Sequence, residues 1–570
     1  MKHFLFLSAG LVMATLSFNP ASGQGTTAPL KKELPKGWHL SDKTTDGFYG
    51  ISMDKAYEFV KGKTSKTVVV AVIDSGIDTL HEDLKPILWV NPKEIPGNGI
   101  DDDKNGYVDD IHGWNFLGGK DGTNVKQDSY EGARVYHRLK EKYSAPGFDA
   151  SKLQGEEKDE FEMWKKAKER VEGDAGGGGA DLLFLKRALE SSQNNDSILT
   201  KAMGKDTYTG KDLETWVPST TEAQKSKAGM LYIFKAFNMM ETSNKEFLEG
   251  FEDYVSGEER KKEAAEKAPK DYRGEIVKDN YYDLNDRFYG NNDVMAGTPY
   301  HGTHVAGIIA AKRGNDLGMD GVADNVRIMM IRAVPDGDEH DKDVALAIRY
   351  AVDNGAKVVN MSFGKSFSPE KKWVDEAVKY AESKGVLLVH AAGNDGANVD
   401  EVDNFHNANL RAVKEKASNW ITVGASSDPL SEPGFSSYTA SFSNYGKNEV
   451  DVFAPGTKIY STIPGGNTYG NQQGTSMASP VVAGVAAFLL SYYPTLTPQE
   501  VKMVIEKSAT PPAEKVKKPG SEDMVFLSEI SKSGGFLNAY EAAKLAETLK
   551  GTAPAKKKSP KSKLKQGSRG

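Results

Sequence analysis

Val68-Val69-Val70-Ala71-Val72-Ile73 is an unbroken apolar run, mostly β-branched, that stops at Asp74-Ser75-Gly76. Continuous apolar residues over the length of a strand mark burial on both faces, and the stop places Asp74 at the strand's carboxyl end. Val326 to Val334, Ala356 to Met361 and Gly385 to His390 read as further strands. Asp343 to Asn354 and Glu370 to Lys384 read as helices between them. Strand and helix in alternation predict an α/β fold, a mostly parallel sheet between helices. Ligands on such sheets bind beyond the carboxyl ends of the strands, where Asp74, Ser362 and Asn394 all fall.

Two apolar runs have another character. Val305 to Ala311 and Val481 to Leu490 are rich in Ala and Gly, the composition of a helix packed closely in a core. The first opens on His301-Gly302-Thr303-His304, the second on Gly474-Thr475-Ser476-Met477-Ala478-Ser479-Pro480. Gly474 has no Cβ to obstruct a tight approach of the main chain, and Pro480 is tolerated near a helix start. Ser476 then sits at a helix N-terminus, where the dipole favours developing negative charge. A helix-capping serine would look the same, so the rest of the chain decides.

Between about 118 and 284 the pattern changes again. Tyr130 to Tyr143, Glu156 to Glu172, Ala180 to Ser191, Glu222 to Glu241 and Lys245 to Lys267 carry Lys, Glu and Ala with apolar residues at helical spacing. These predict a helical insertion domain, with Gly176 to Gly179 as a flexible joint. Its ends lead to Asp74 on one side and His301 on the other, so it should emerge beside the site. Residues 24–66 form a polar N-terminal segment with a helix from Met53 to Lys61. Pro498 to Ser508 and Gly535 to Leu549 close the fold as helices. There is no internal repeat.

A chain of 570 residues has material for a large core, and a net charge of −7 gives nothing that points to nucleic acid. With no cysteine, a thiol nucleophile and disulfides are excluded. Met1-Lys2-His3, an apolar Phe4 to Phe18 and the small residues Ala21-Ser22-Gly23 form a secretory signal peptide over 1–23. This predicts export to the periplasm or beyond, with no integral membrane segment after cleavage. Residues 550–570 are basic and polar and read as a disordered tail.

A serine hydroxyl is a weak nucleophile until a base and an orienting acid activate it. Asp74, His301 and Ser476 supply that set in the order Asp, His, Ser. Their motifs resemble the subtilisin-like serine proteases, the subtilases, over about 65–120 and 285–545. The resemblance implies a three-layer subtilisin-like fold, with catalytic residues Asp74, His301, Ser476 and Asn394. Asn394, in Ala391-Ala392-Gly393-Asn394-Asp395-Gly396, would bind the oxyanion. Ser362-Phe363-Gly364 and Gly393 would bind substrate, with an extended peptide pairing along Ser362 to Gly364. The catalytic domain would then span 67–117 and 285–549, with Asn419 to Ala425 and Val450 to Gly456 as scaffold strands. Subtilases usually carry an N-terminal inhibitory prodomain, and the segment ahead of Asp74 is shorter than that.

Two oxygen-rich loops predict structural calcium. Asp101, Asp103, Asn105 and Asp109 stand at positions 1, 3, 5 and 9 of an EF-hand loop, with Gly106 at 6 and the Tyr107 carbonyl at 7. His112 replaces the glutamate of position 12, and Asp110 is the nearest substitute. The second site is implied by the resemblance: Asp83 in His81-Glu82-Asp83-Leu84, with Asn315 and the carbonyls of Leu317 and Met319. No organic cofactor is expected. The expected function is an exported serine endopeptidase acting as a monomer on protein or peptide substrates through an acyl-enzyme. A catalytically silent peptide-binding protein on this fold, and an esterase or transpeptidase with the same triad, remain open from sequence.

Overall fold

Seven strands form one parallel sheet in the order β2-β3-β1-β4-β5-β8-β9. They are β1 Val68–Asp74, β2 Gly113–Asn115, β3 Val326–Arg332, β4 Val358–Met361, β5 Leu387–Ala391, β8 Trp420–Ser426 and β9 Val452–Pro455. The short pair β6 Asn409–Leu410 and β7 Glu415–Lys416 lies outside it, as does the hairpin β10 Ile459–Ile463 with β11 Thr468–Gln472. The structure, a computed structural model, describes residues 34–549 apart from 178, 237, 238, 241, 298, 412–414 and 432–435. The predicted signal peptide and basic tail lie outside the described residues.

Alternation along the strands divides the core in two. Val70, Val72, Ile328, Met330, Leu387 and Val389 face one helical layer, while Ala71, Ile73, Met329, Ile331 and Leu388 face the other. The first layer holds α1 Met53–Val60, α9 Tyr300–Ala310, α12 Thr475–Tyr492, α13 Pro498–Ser508 and α14 Ala539–Leu549. The second holds α10 Asp341–Asp353 and α11 Lys371–Ser383. This is the three-layer α/β architecture expected. Apolar strands without polar alternation are what two covered faces require.

The chain leaves β1 for β2 and β3 on one side, then crosses to β4 on the other. That reversal opens a crevice at the carboxyl end of β1, beside Asp74. α12 is the one described helix long and apolar enough to cross a membrane, and 89% of it is buried in the core.

Between β2 and α9 run seven helices: α2 Glu131–Tyr143, α3 Gly155–Gly177, α4 Gly179–Met203, α5 Gly210–Thr215, α6 Thr221–Ala236, α7 Asn244–Glu266 and α8 Tyr272–Val277. Their apolar faces form two small cores. Ala133, Tyr136, Leu139, Trp164 and Val171 make one, which also takes in Phe367 from beyond the insertion. Leu199, Leu213, Met230, Phe234, Phe247 and Phe251 make the other. Of the glycines expected to form an open joint, Gly176 and Gly177 end α3 and Gly179 starts α4.

The N-terminal segment belongs to the main core. Trp38, Ile51, Met53, Ala56 and Val60 are buried in it. Ala539 N at the start of α14 donates to Ile51 O at 2.8 Å. The rings of Phe59 and Tyr540 meet edge to face at 6.0 Å.

Candidate active site

Asp74 ends β1 and His301 lies in the first turn of α9. His301 Nδ1 donates to Asp74 Oδ1 at 2.7 Å, and Ser75 N donates to the same oxygen at 2.7 Å. A histidine that donates from Nδ1 keeps a lone pair on Nε2. That Nε2 is buried and has no partner among the described residues. The two elements meet this closely because residue 302 is glycine. A Cβ there would lie 2.1 Å from Gly76 O and 3.1 Å from Asp74 Cβ.

Ser476 occupies the first turn of α12. The residue before that turn, Gly474, has φ 146°, a region essentially closed to residues with a side chain. Ser476 Oγ donates to Ser362 O at 3.1 Å, while Ser362 Oγ donates to Ser476 O at 2.9 Å. Behind them Asn360 Nδ2 donates to Ser362 Oγ at 3.0 Å, and Ser479 Oγ donates to Asn360 Oδ1 at 2.9 Å. The helix start is therefore stitched to the end of β4. Sequence reasoning missed Asn360 and Ser479. A polar side chain inside a buried strand was the available signal, since such groups need partners.

Asn394 follows β5. Its Oδ1 accepts from Thr475 N at 2.8 Å and from Thr475 Oγ1 at 2.9 Å. Gly393 N donates to Thr475 Oγ1 at 3.1 Å. With its oxygen held, Asn394 has Nδ2 left to donate, and that atom finds no acceptor among the described residues. Phe363 is buried, its ring 6.3 Å from those of His390 and His406. Burial pushes His390 down to about 4 and His406 well below the usual histidine range. The main chain of Gly364 has no hydrogen-bond partner among the described residues.

In the first oxygen-rich loop, Asn105 N donates to Asp101 and Asp103, each at 3.0 Å, and Gly106 N donates to Asp101 Oδ2 at 2.8 Å. Tyr107 N donates to Asn105 Oδ1 at 2.8 Å. One oxygen each from Glu94, Asp101 and Asp103 lies within 4.8 Å of the others. Glu94 Oε2 is buried without a partner. Three carboxylates in an oxygen-only set, one with an orphaned atom, suit a hard cation. Glu94 stands ahead of the loop, at no EF-hand position, so the motif could not have found it. Asp109 is not brought to this cluster. Its two oxygens instead accept from the N–H groups of Gly97, Asn98 and Gly99. At the second predicted site Asn315 Nδ2 donates to Asp83 Oδ1, and Tyr469 OH donates to Asp83 Oδ2 at 2.9 Å.

The fold and its rim define a class: α/β proteins that carry Asp, His and Ser at the carboxyl ends of a parallel sheet. Within that class, the sequence pattern of the Subtilase family matches residues 65–537, and the chain belongs to that family. Over 242 residues it is 41% identical to the thermophilic serine proteinase of Bacillus sp. (strain AK1), covering 42% of this chain and 52% of that one. Over 212 residues it is 39% identical to subtilisin DY of Bacillus licheniformis, covering 37% of this chain and 70% of that protein. The chain thus spans only about half the length of the first of these relatives. A solved structure, that of the prenylagaramide maturation protease PagA, is 30% identical with a TM-score of 0.35, covering 43% of this chain and 82% of that one.

Proposed function

We propose that this subtilase is an exported serine endopeptidase that cleaves protein or peptide substrates through an acyl-enzyme. The observation that carries the reading is the buried Asp74–His301 hydrogen bond, which leaves the second imidazole nitrogen of His301 open. Ser476 Oγ turns from Ser362 O toward that nitrogen and attacks the scissile carbonyl as His301 takes its proton. His301 then hands the proton to the leaving amine, and Asp74 steadies the imidazolium. Asn394 Nδ2 and the Ser476 N–H receive the oxyanion, and the start of α12 adds its dipole. Water repeats the sequence on the acyl-enzyme and restores Ser476. The free main chain of Gly364, with Ser362 and Phe363, takes the extended substrate as an added strand.

Residues 67–117 and 285–549 form the catalytic unit in this reading, interrupted by the insertion at 118–284. Glu94, Asp101 and Asp103 would hold a structural calcium, whose charge offsets three clustered carboxylates. Asp83 and Asn315 are the second candidate. The signal peptide over 1–23 directs export. Ser476→Ala is expected to abolish covalent labelling by a fluorophosphonate probe, read by mass spectrometry of the intact protein. Labelling that persists in this variant overturns the assignment of the nucleophile.

A further inference from the structure

We infer that the helical insertion positions the substrate edge, and that Glu131 is the residue through which it does so. The inference rests on the endopeptidase reading above and deepens it. Lys365 directly follows Gly364 and its side chain is fully buried. Its Nζ donates to Glu131 Oε2 at 2.9 Å and to Glu339 O at 2.8 Å, and lies 2.8 Å from Asp341 Oδ1. Glu131 is the first residue of α2, so a charge from the insertion is anchored one residue from the edge that would hold substrate.

Glu131 is itself fixed. Its N–H donates to Asp338 Oδ2 at 2.8 Å, and Oε2 also accepts from Arg134 at 2.7 Å. Arg134 donates onward to the carbonyls of Asp338 and Glu339 at 3.1 and 3.3 Å. The insertion grips the same region twice more. Arg170 of α3 donates to Ser366 Oγ at 3.2 Å, and Lys166 donates to Asp403 at 2.6 Å. The 403–406 stretch pairs with Lys365 through Phe405, by main-chain bonds of 2.7 and 2.9 Å. It also packs directly against Gly364, where a Cβ would meet Phe405 O at 2.9 Å and Asn404 Oδ1 at 3.5 Å. The edge at 364–366 and the stretch packed on it are therefore both tied to insertion helices.

A buried lysine with two carboxylate partners moves toward whichever one keeps its charge. Neutralising Glu131 leaves Lys365 held by Asp341 and the Glu339 carbonyl alone, which weakens the insertion's hold on Lys365 and on the Gly364 main chain beside it. Misplacing a bound substrate by about 1 Å costs up to about 100-fold. None of these insertion residues reaches Ser476 or His301, so the effect belongs to substrate binding and register. Passive packing would lower stability and leave recognition alone.

The test compares Glu131→Gln with wild type on an extended hexapeptide and on a fluorophosphonate that reports only the nucleophile. The expected result is a KM for the hexapeptide raised by about 10-fold, with the labelling rate constant changed by less than about 2-fold. A folded variant with unchanged hexapeptide KM overturns the inference. If Glu131→Gln does not fold, the exposed pair Lys166→Ala and Arg170→Ala is read the same way. An unchanged KM there overturns it equally. Absence of labelling in the wild type would instead overturn the endopeptidase reading.

Discussion

In the proposed mechanism Asn394 divides one side chain between scaffold and chemistry. Its oxygen is spent on Thr475, which fixes the amide plane and leaves the nitrogen aimed away from that contact. An oxyanion donor of this kind is worth about 10²–10³ in kcat. Asn394→Ala is therefore expected to lower kcat by that factor with KM nearly unchanged, measured by steady-state kinetics on a peptide. Asp74, His301, Ser476 and Asn394 could be proposed from sequence because each sits in a local motif at the end of a strand or the start of a helix. Glu94, Glu131 and Asn360 were missed. Glu131 and Asn360 reach Lys365 and Ser479, far away in the chain, and Glu94 joins Asp101 and Asp103 from outside any recognised motif.

At the scale of elements, helices and strands were legible where one physical pattern held without competition. α13 runs from Pro498 to Ser508 as expected, opened by a capping box between Thr497 and Glu500. The β10–β11 hairpin escaped notice because Thr468 to Gln472 is polar and half-exposed, with no apolar alternation to find. The insertion is fastened to α10 by charge as well as through the core that takes in Val277. Arg273 donates to Asp343 at 2.8 and 2.7 Å and to Asp279 at 2.6 Å, while Lys342 donates to Asp279 at 2.6 Å. All four side chains are at most 2% exposed. Removing one member of a buried network strands the others, at a cost of about 3–5 kcal/mol. Arg273→Ala is expected to lose stability on that order in urea unfolding. The loop at Glu94, Asp101 and Asp103 makes the opposite case, three crowded carboxylates with the mostly exposed Lys93 ammonium 3.7 Å from Asp103 Oδ2. Adding calcium to chelator-treated protein is expected to raise Tm, and Glu94→Gln to shrink that rise.

Across the whole molecule the buried imidazoles set the response to acid. Burial pushes His39 and His304 down to about 3 and His390 down to about 4, and His406 is held well below its usual range. Each gains a proton on unfolding below the ordinary histidine value of about 6.5. Burial acts the other way on six described carboxyls, raising Glu339 to about 8 and Asp110 to about 6 and pushing Asp338, Glu370, Asp428 and Glu506 upward as well. Carboxyls raised in this way hold protons in the native state that the unfolded chain gives up above its carboxyl range. The four histidines therefore contribute stability that is present above about pH 6.5 and lost as pH falls through the native state's lowered values, while the raised carboxyls oppose that loss. Denaturant unfolding between pH 7 and 4.5 is expected to show His39→Phe losing less stability with falling pH than wild type, by about one proton near pH 5, or about 1.4 kcal/mol per pH unit.

α1 and α14 seal the same face of the sheet against each other, although nearly the whole described chain separates them. During translation the early helix waits, its apolar side uncovered, until the late one leaves the ribosomal tunnel. A message cut short anywhere upstream of α14 yields a polypeptide that exposes this seam to the quality-control machinery.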